Sequence, residues 1–288
     1  TMKKYKICKI LLVILAIFLC VAFYELLGIC VAYKKQPEVS NTTKKETKNG
    51  SWNECSENTE RAVIIEKNPE ALLQRVRLIK NAKKEIILST FAFQSDESGK
   101  LILGALHDAA DRGVHIRLLV DGMESWIDME GNPYFYGLSS HENVEIKLYN
   151  KANPLKPWKM MGRMHDKYLI ADGKRYILGG RNTYNYFLGD FPGHKNYDRD
   201  VLVVCDEPEK ENSVNQLLEY FETIWEQEDS GYFHDNKKLA NRKSVKNAVL
   251  ELQNGYQKYF EENKERICDT DYTDETFETE KIALVSNP

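Results

Sequence analysis

His165-x-Lys167, then Asp172, then Gly179-Gly180-x-Asn182 stand in the segment MHDKYLIADGKRYILGGRN, and residues of these types can together handle phosphorus. A histidine attacks phosphorus at neutral pH because its ordinary pKa, about 6.5, leaves much of the imidazole neutral and nucleophilic without a separate base. The product is a covalent phosphohistidine. Lys167 lies two residues on, so in a strand both side chains project from one face, and an ammonium there can hold the non-bridging phosphate oxygens. Asn182 can add an amide donor to the same oxygens, while Gly179 and Gly180 let the backbone approach a bulky anion. A His and a Lys alone on an alternating strand are more simply its solvated face. Six residues at these offsets, however, recur by chance on the order of once in ten to a hundred million starting positions. The full pattern therefore outweighs the simpler account.

The elements that must position these residues are legible around them. HDKYLIA reads as a strand, and Asp172-Gly173-Lys174 is a hairpin signal that returns RYILGG beside it, bringing Gly179 to Asn182 back towards His165. Upstream, a strand at Arg61 to Ile65 precedes an Asn68-Pro69 helix start with Leu72, Leu73, Val76 and Ile79 on one face. The strand EIILSTFAF follows, then a helix marked by Leu101, Ile102, Ala105, Leu106, Ala109 and Ala110 that Gly113 can end, then the strands VHIRLLV and NVEIKLY. This β-α-β-α-β order predicts an α/β fold, a mixed sheet flanked by helices with the motif's strand central and His165 near its exposed end. Downstream, Val214, Leu217, Leu218, Phe221, Ile224 and Trp225 form one helical stripe, and Val245 to Phe260 another. KIALVSNP reads as a new strand.

The spacing is similar to the signature of the phospholipase D superfamily, H-x-K-x4-D-x6-G-(G/S)-x-N, without a departure. From Ala62 to Trp225 the blocks AKKEIILSTFAFQSDESGKL, ALHDAADRGVHIRLLVDG, the motif, NYDRDVLVV and FETIWE resemble, in order, the first catalytic half of a bacterial cardiolipin synthase. The resemblance implies His165 as nucleophile, or as the partner acid and base, with Lys167, Gly180 and Asn182 around the phosphate. Asp172 is carried over as the motif's acidic member and is read as structural. Asp200 occupies the place of the family's second acidic residue, which orients a catalytic histidine, with Asp198 a close competitor; without the resemblance either is an ordinary turn aspartate opening a strand. No metal and no cofactor is implied.

The first residues have another character. Ile10 to Tyr24 are continuously apolar and, after Glu25, LLGICVAY resumes the run, long enough to span a hydrocarbon layer of about 30 Å. Lys3, Lys4, Lys6 and Lys9 before it outnumber Lys34 and Lys35 just after, which favours a cytoplasmic N-terminus with the catalytic domain outside; a cleavable signal peptide is the alternative. The expected organisation is a membrane anchor at 1–33, a polar flexible tether at 34–59, a catalytic domain at 60–230, and at 231–288 a helical extension leading into a second half. A formal net charge of -4 argues against strong non-specific nucleic-acid binding. The six cysteines show no C-x-x-C spacing, so neither a zinc site nor a dense disulfide framework is indicated.

Other candidates carry two readings each. Asn150 to Arg163, with two prolines, Trp158, Met160, Met161 and several basic residues, suits either a loop facing lipid or one whose Trp caps the core. Tyr184, Tyr186 and Phe187 either wall a substrate pocket or pack. His107 and His115 read as ordinary helix and strand residues, His141 and His234 belong to no second motif, and His194 is a weak candidate for substrate contact.

The family builds its site from two motifs, one histidine attacking and the other protonating the leaving group, and this sequence has one. The resemblance therefore implies a second catalytic half in sequence beyond Pro288, or a homodimer with two copies of His165 facing across a two-fold axis. Its preferred activity is phospholipid headgroup transfer or hydrolysis on a phosphatidylglycerol-like substrate in a membrane, making cardiolipin through a phosphatidyl-histidine. A phosphodiesterase or nuclease acting as a homodimer, and an inactive membrane-tethered lipid-binding module, are the alternatives.

Overall fold

The computed structural model describes residues 2–34, 41, 44–45, 60–205, 212–234, 236–280 and 282–285. The expected tether at 34–59, with Cys55, lies almost wholly outside them. Helix α1 (Met2–Lys34) is apolar along most of its length, and its stretch Tyr5–Lys34 is long and apolar enough to cross a membrane. The folded body then runs β1 (Glu60–Ile65), α2 (Asn68–Asn81), β2 (Glu85–Thr90), α3 (Glu97–Asp111), β3 (His115–Asp121), α4 (Gly122–Asp128), α5 (Pro133–Ser139) and β4 (Val144–Tyr149). The catalytic hairpin of β5 (Lys167–Ala171) and β6 (Arg175–Gly179) leads into β7 (Asp200–Cys205) and α6 (Ser213–Trp225). After it come β8 (Ser230–Tyr232), α7 (Lys243–Glu262), α8 (Lys264–Cys268) and β9 (Phe277–Glu278).

All nine of these strands form one mixed sheet in the order β8-β4-β3-β2-β5-β6-β7-β1-β9, with β5 in the middle. The strands β2, β3 and β4 are parallel to one another, and β5, β6, β7 and β1 alternate in direction from there. Period-2 alternation divides the core between the two faces. Leu88, Leu118, Leu169, Ile177 and Leu202 join the larger cluster with α2, α3, α5 and α7, while Ile87, Leu119, Ile170, Tyr176 and Val203 join the smaller one under α6. The α6 helix is held at both ends. Buried Glu60 accepts from the Ser213 N–H and hydroxyl at its start, and the Lys147 ammonium donates to the Trp225 carbonyl at its close, each charge matching the helix dipole.

Three details differ from the sequence reading. The strand of the motif begins at Lys167, so His165 belongs to the approach to the strand. Two short helices, α4 and α5, fill the crossover from β3 to β4, because Asp121 caps the Met123 and Glu124 amides and Asn132-Pro133 opens the second. Ile282 to Val285 have no strand partner among the described residues; the Leu284 N–H donates to the Gln216 side chain instead, and the edge pairing falls to Phe277–Glu278.

Asp172 and Gly173 both have positive φ, the combination a two-residue hairpin turn requires. The Asp172 carboxylate accepts from the backbone N–H groups of Lys83, Lys84 and Glu85, pinning the turn to the start of β2. Asp172→Ala is expected to cost about 1–3 kcal/mol, since three donors lose their acceptor and alanine is strained at this φ. Asp172→Asn costs less. Urea unfolding of the two variants checks the order.

Candidate active site

The carboxyl ends of β2 and β3, the start of β5, the end of β6 and the start of β7 all meet at one end of the sheet. Ligands in open α/β sheets bind at such an edge. Here Phe91, just past β2, is the hub. The exposed His165 imidazole packs edge-on against it with ring centroids 4.7 Å apart, and the Lys167 Nζ and Arg163 Cζ stand 5.3 and 5.2 Å from its centroid. Beside it the Ala92 N–H donates to Asn182 Oδ1 at 3.1 Å, which fixes the amide and leaves its NH2 end as the donor for a ligand. His165, Lys167 and Asn182 are thus gathered about one short stretch of chain.

Lys167 is buried, and its ammonium donates to the His165 backbone carbonyl at 2.6 Å. Burial brings its pKa down to about 8, against the pull of the Asp166 and Asp198 carboxylates. The His165 pKa lies below the ordinary imidazole value, through partial burial first and the Lys167 charge second. Both effects favour a neutral, attacking imidazole near neutral pH. Asp166 turns to the other side of the chain, where Tyr220 of α6 donates to it at 2.9 Å, and burial raises its pKa.

The glycines are explained by what lies against them. A Cβ on Gly180 would collide with the Asp198 carboxylate, and one on Gly179 with Asp200 Oδ1 and the Arg199 carbonyl. Asp198 therefore borders the site, close enough to act on the Lys167 charge.

Asp200 has a different task from the one the sequence assigned it. Its Oδ2 is paired with Arg75 at 2.8 Å and with Arg181 at 3.2 Å, all three buried, while its Oδ1 has no hydrogen-bond partner among the described residues, so the two guanidinium groups hold this carboxylate and no described contact joins it to His165. The pairing has a physical cause: Arg75 on α2 and Arg181 next to Asn182 are charges that burial would otherwise leave uncompensated. Asp172, at the opposite end of a five-residue strand, is some 17 Å away at about 3.4 Å per residue and touches none of these groups.

Sequence reasoning missed Phe91, Asp121 and Arg163. Buried Asp121 accepts three bonds from Arg163, from Nε at 2.9 and 3.0 Å and from Nη2 at 2.6 Å, and one from the Met164 N–H, so it holds the segment that delivers His165. An Asp-Gly step closing the apolar run LLV at the end of a parallel strand was the available signal. The other histidines lie elsewhere: His107 and His141 on Asp111, His115 between Glu85 and Glu145, His234 on Glu130, and His194 beside the Tyr186 ring. Tyr184, Tyr186 and Phe187 pack on one another and on the core, so the packing reading holds for them.

Residues 75–225, more than half of the chain, match the family model described as cardiolipin synthase, PLD-like domain. The chain belongs to the phospholipase D-like family. Members of that family are phosphodiesterases and phosphatidyltransferases. An uncharacterized protein of Helicobacter pylori strain J99 is 30% identical over 212 residues, covering 68% of this chain and 39% of its own length. Cardiolipin synthase C of Escherichia coli K12 is 29% identical over 171 residues, 54% of this chain and 34% of that protein. The chain thus spans well under half the length of these relatives. The solved structure of NucT from Helicobacter pylori aligns with 60% of this chain and 99% of its own at 17% identity and a TM-score of 0.47.

Proposed function

We propose that this phospholipase D-like chain supplies the nucleophilic half of a membrane-anchored phosphatidyltransferase that makes cardiolipin. The observation that carries the proposal is the exposed His165 imidazole set against Phe91, with the Lys167 ammonium and the Asn182 amide at the same sheet end. His165 attacks the phosphorus of a phosphatidylglycerol-like lipid. The N–P bond forms as the P–O bond to the headgroup glycerol breaks, and the departing oxygen takes a proton from an acid on the opposite side. The hydroxyl of a second lipid then attacks phosphorus, returns its proton to that acid's conjugate base, and displaces neutral His165. Lys167 and Asn182 hold the non-bridging oxygens, and Gly180 makes room beside them for the Asp198 carboxylate.

The acid is a second histidine, from a second catalytic half or from another copy of the chain. The α1 helix anchors the enzyme, and the lysine bias around it favours a catalytic domain outside the cytoplasm. Assay of the complete protein on phosphatidylglycerol vesicles tests the substrate class. Cardiolipin and glycerol in equal amounts are expected; phosphatidic acid in place of cardiolipin, with the same release of glycerol, makes water the acceptor, and DNA cleavage without any lipid product overturns the reading.

The two depressed pKa values shape the pH profile of kcat/KM, which reports the free enzyme, together with the acid histidine. Lys167 loses its charge near pH 8, so phosphate binding and rate fall as pH rises through that value. Protonation of His165 removes the nucleophile only below the ordinary imidazole pKa. Lys167→Arg stays charged across the working range and is expected to remove the step near pH 8, leaving only the fall set by the acid histidine, at a lower plateau because a fork replaces a point charge.

A further inference from the structure

The last turns of α1 rest on the loop that delivers His165. Gly28 is buried against Pro157 so closely that a Cβ there would collide with the proline ring, and the Tyr24 hydroxyl donates to the Leu155 carbonyl at 2.8 Å. Tyr24, Gly28 and Ala32 recur every four residues, one face of the helix, and the two small residues admit the loop. A hydrocarbon layer of about 30 Å takes about twenty helical residues, which counted from Ile10, after Lys9, end near Ile29. Gly28 then lies at the far boundary of the layer, and so does Pro157 pressed on it. Tyr24 lies about 6 Å deeper, at 1.5 Å per residue, and takes Leu155 with it.

The loop is built for that depth. Leu155 is 78% exposed, Met161 55% and Trp158 45%, and Trp158 belongs to neither core cluster, so it does not cap the core. Trp126 and Ile127 are also exposed on α4, whose first residue packs on the backbone of Lys151. The loop is braced from within, because the Asn150 amide donates to the Lys159 and Gly162 carbonyls and Lys159 pairs with Asp229. Its apolar side chains are therefore presented outward, and its end is Arg163, fixed to Asp121 two residues before His165.

We propose that the 150–163 loop and α4 form a seat that presses into the phospholipid surface beside α1 and sets His165 at the level of the lipid phosphates. The proposal rests on the reading of α1 as a membrane anchor. Trp and Met at such a boundary gain from apolar burial, and the Leu155 carbonyl carried below it accepts from the Tyr24 hydroxyl.

The test uses the full chain, in a Trp52→Phe background, in vesicles of phosphatidylcholine and phosphatidylglycerol brominated at shallow acyl positions. Bromine is expected to quench its tryptophan fluorescence, and a variant also carrying Trp126→Phe and Trp158→Phe is expected to lose most of that quenching, leaving buried Trp225. Gly28→Leu is expected to weaken quenching while the chain stays embedded. Equal quenching with and without Trp126 and Trp158, in a chain that resists alkaline extraction, overturns the seat and leaves the anchor standing. Release of the chain by alkaline extraction overturns the anchor and the seat together.

Discussion

In the complete protein, His165→Asn is expected to lower phosphatidyl transfer by about 10^4-fold or more, the scale of losing a covalent nucleophile. Asparagine retains a polar side chain of similar reach but offers no nitrogen lone pair able to displace an alkoxide at phosphorus. Stability is expected to change little. The imidazole is exposed, and its one described ring contact is the edge of Phe91, worth about 0.5–1.5 kcal/mol. Transfer of a labelled phosphatidyl group, measured beside thermal unfolding of the same preparation, separates the two effects.

Asp200→Ala is expected to do the opposite, costing about 3–5 kcal/mol because it strands two buried guanidinium groups. That is a large share of the 5–15 kcal/mol typical of a domain. Arg181 also donates to the carbonyls of Ile65 and Glu66, so the link between β1 and α2 loosens with it, and Asn182 next in sequence loses its support. Asp198→Asn provides the contrast. It leaves the Arg75–Asp200–Arg181 cluster intact but removes a carboxylate that raises the Lys167 pKa, so the alkaline limb of the rate profile moves to lower pH with little loss of stability. If Asp200 instead oriented the histidine, Asp200→Asn would cut kcat without lowering the unfolding midpoint.

The contrast between Asp198 and Asp200 shows where sequence reasoning stops. Continuous apolar runs in EIILST and DVLVV and period-2 alternation in VHIRLLV and NVEIKLY were enough to place the strands, and the Asp-Gly turn was enough to pair β5 with β6, because apolar pattern and turn geometry are local properties. Which of two aspartates two residues apart faces the site depends on what waits across the sheet. Arg75, more than a hundred positions earlier, claims Asp200, and nothing in the local sequence announces that. Phe91 was hidden for a related reason: it reads as one more apolar residue of a strand, and its role arises only because the strand ends beneath His165. The loop from Asn150 to Arg163 had two readings until Trp158 was seen outside the core and Pro157 against Gly28. Asp172 was legible as structural in character, but its partners, the amides of Lys83 to Glu85, come from a strand start whose proximity only the sheet order creates.

The central claim is that His165 carries the phosphatidyl group. Acid-labile adducts can be trapped by rapid quenching of the complete protein with phosphatidylglycerol at neutral pH, followed by alkaline-compatible peptide mapping by mass spectrometry. The account predicts a phosphatidyl group on the peptide containing His165, absent in His165→Asn and, when the phosphatidylglycerol is labelled, chased from that peptide into cardiolipin by excess unlabelled phosphatidylglycerol added before the quench. Steady turnover with no adduct on that peptide, or with the adduct on another residue, would contradict it.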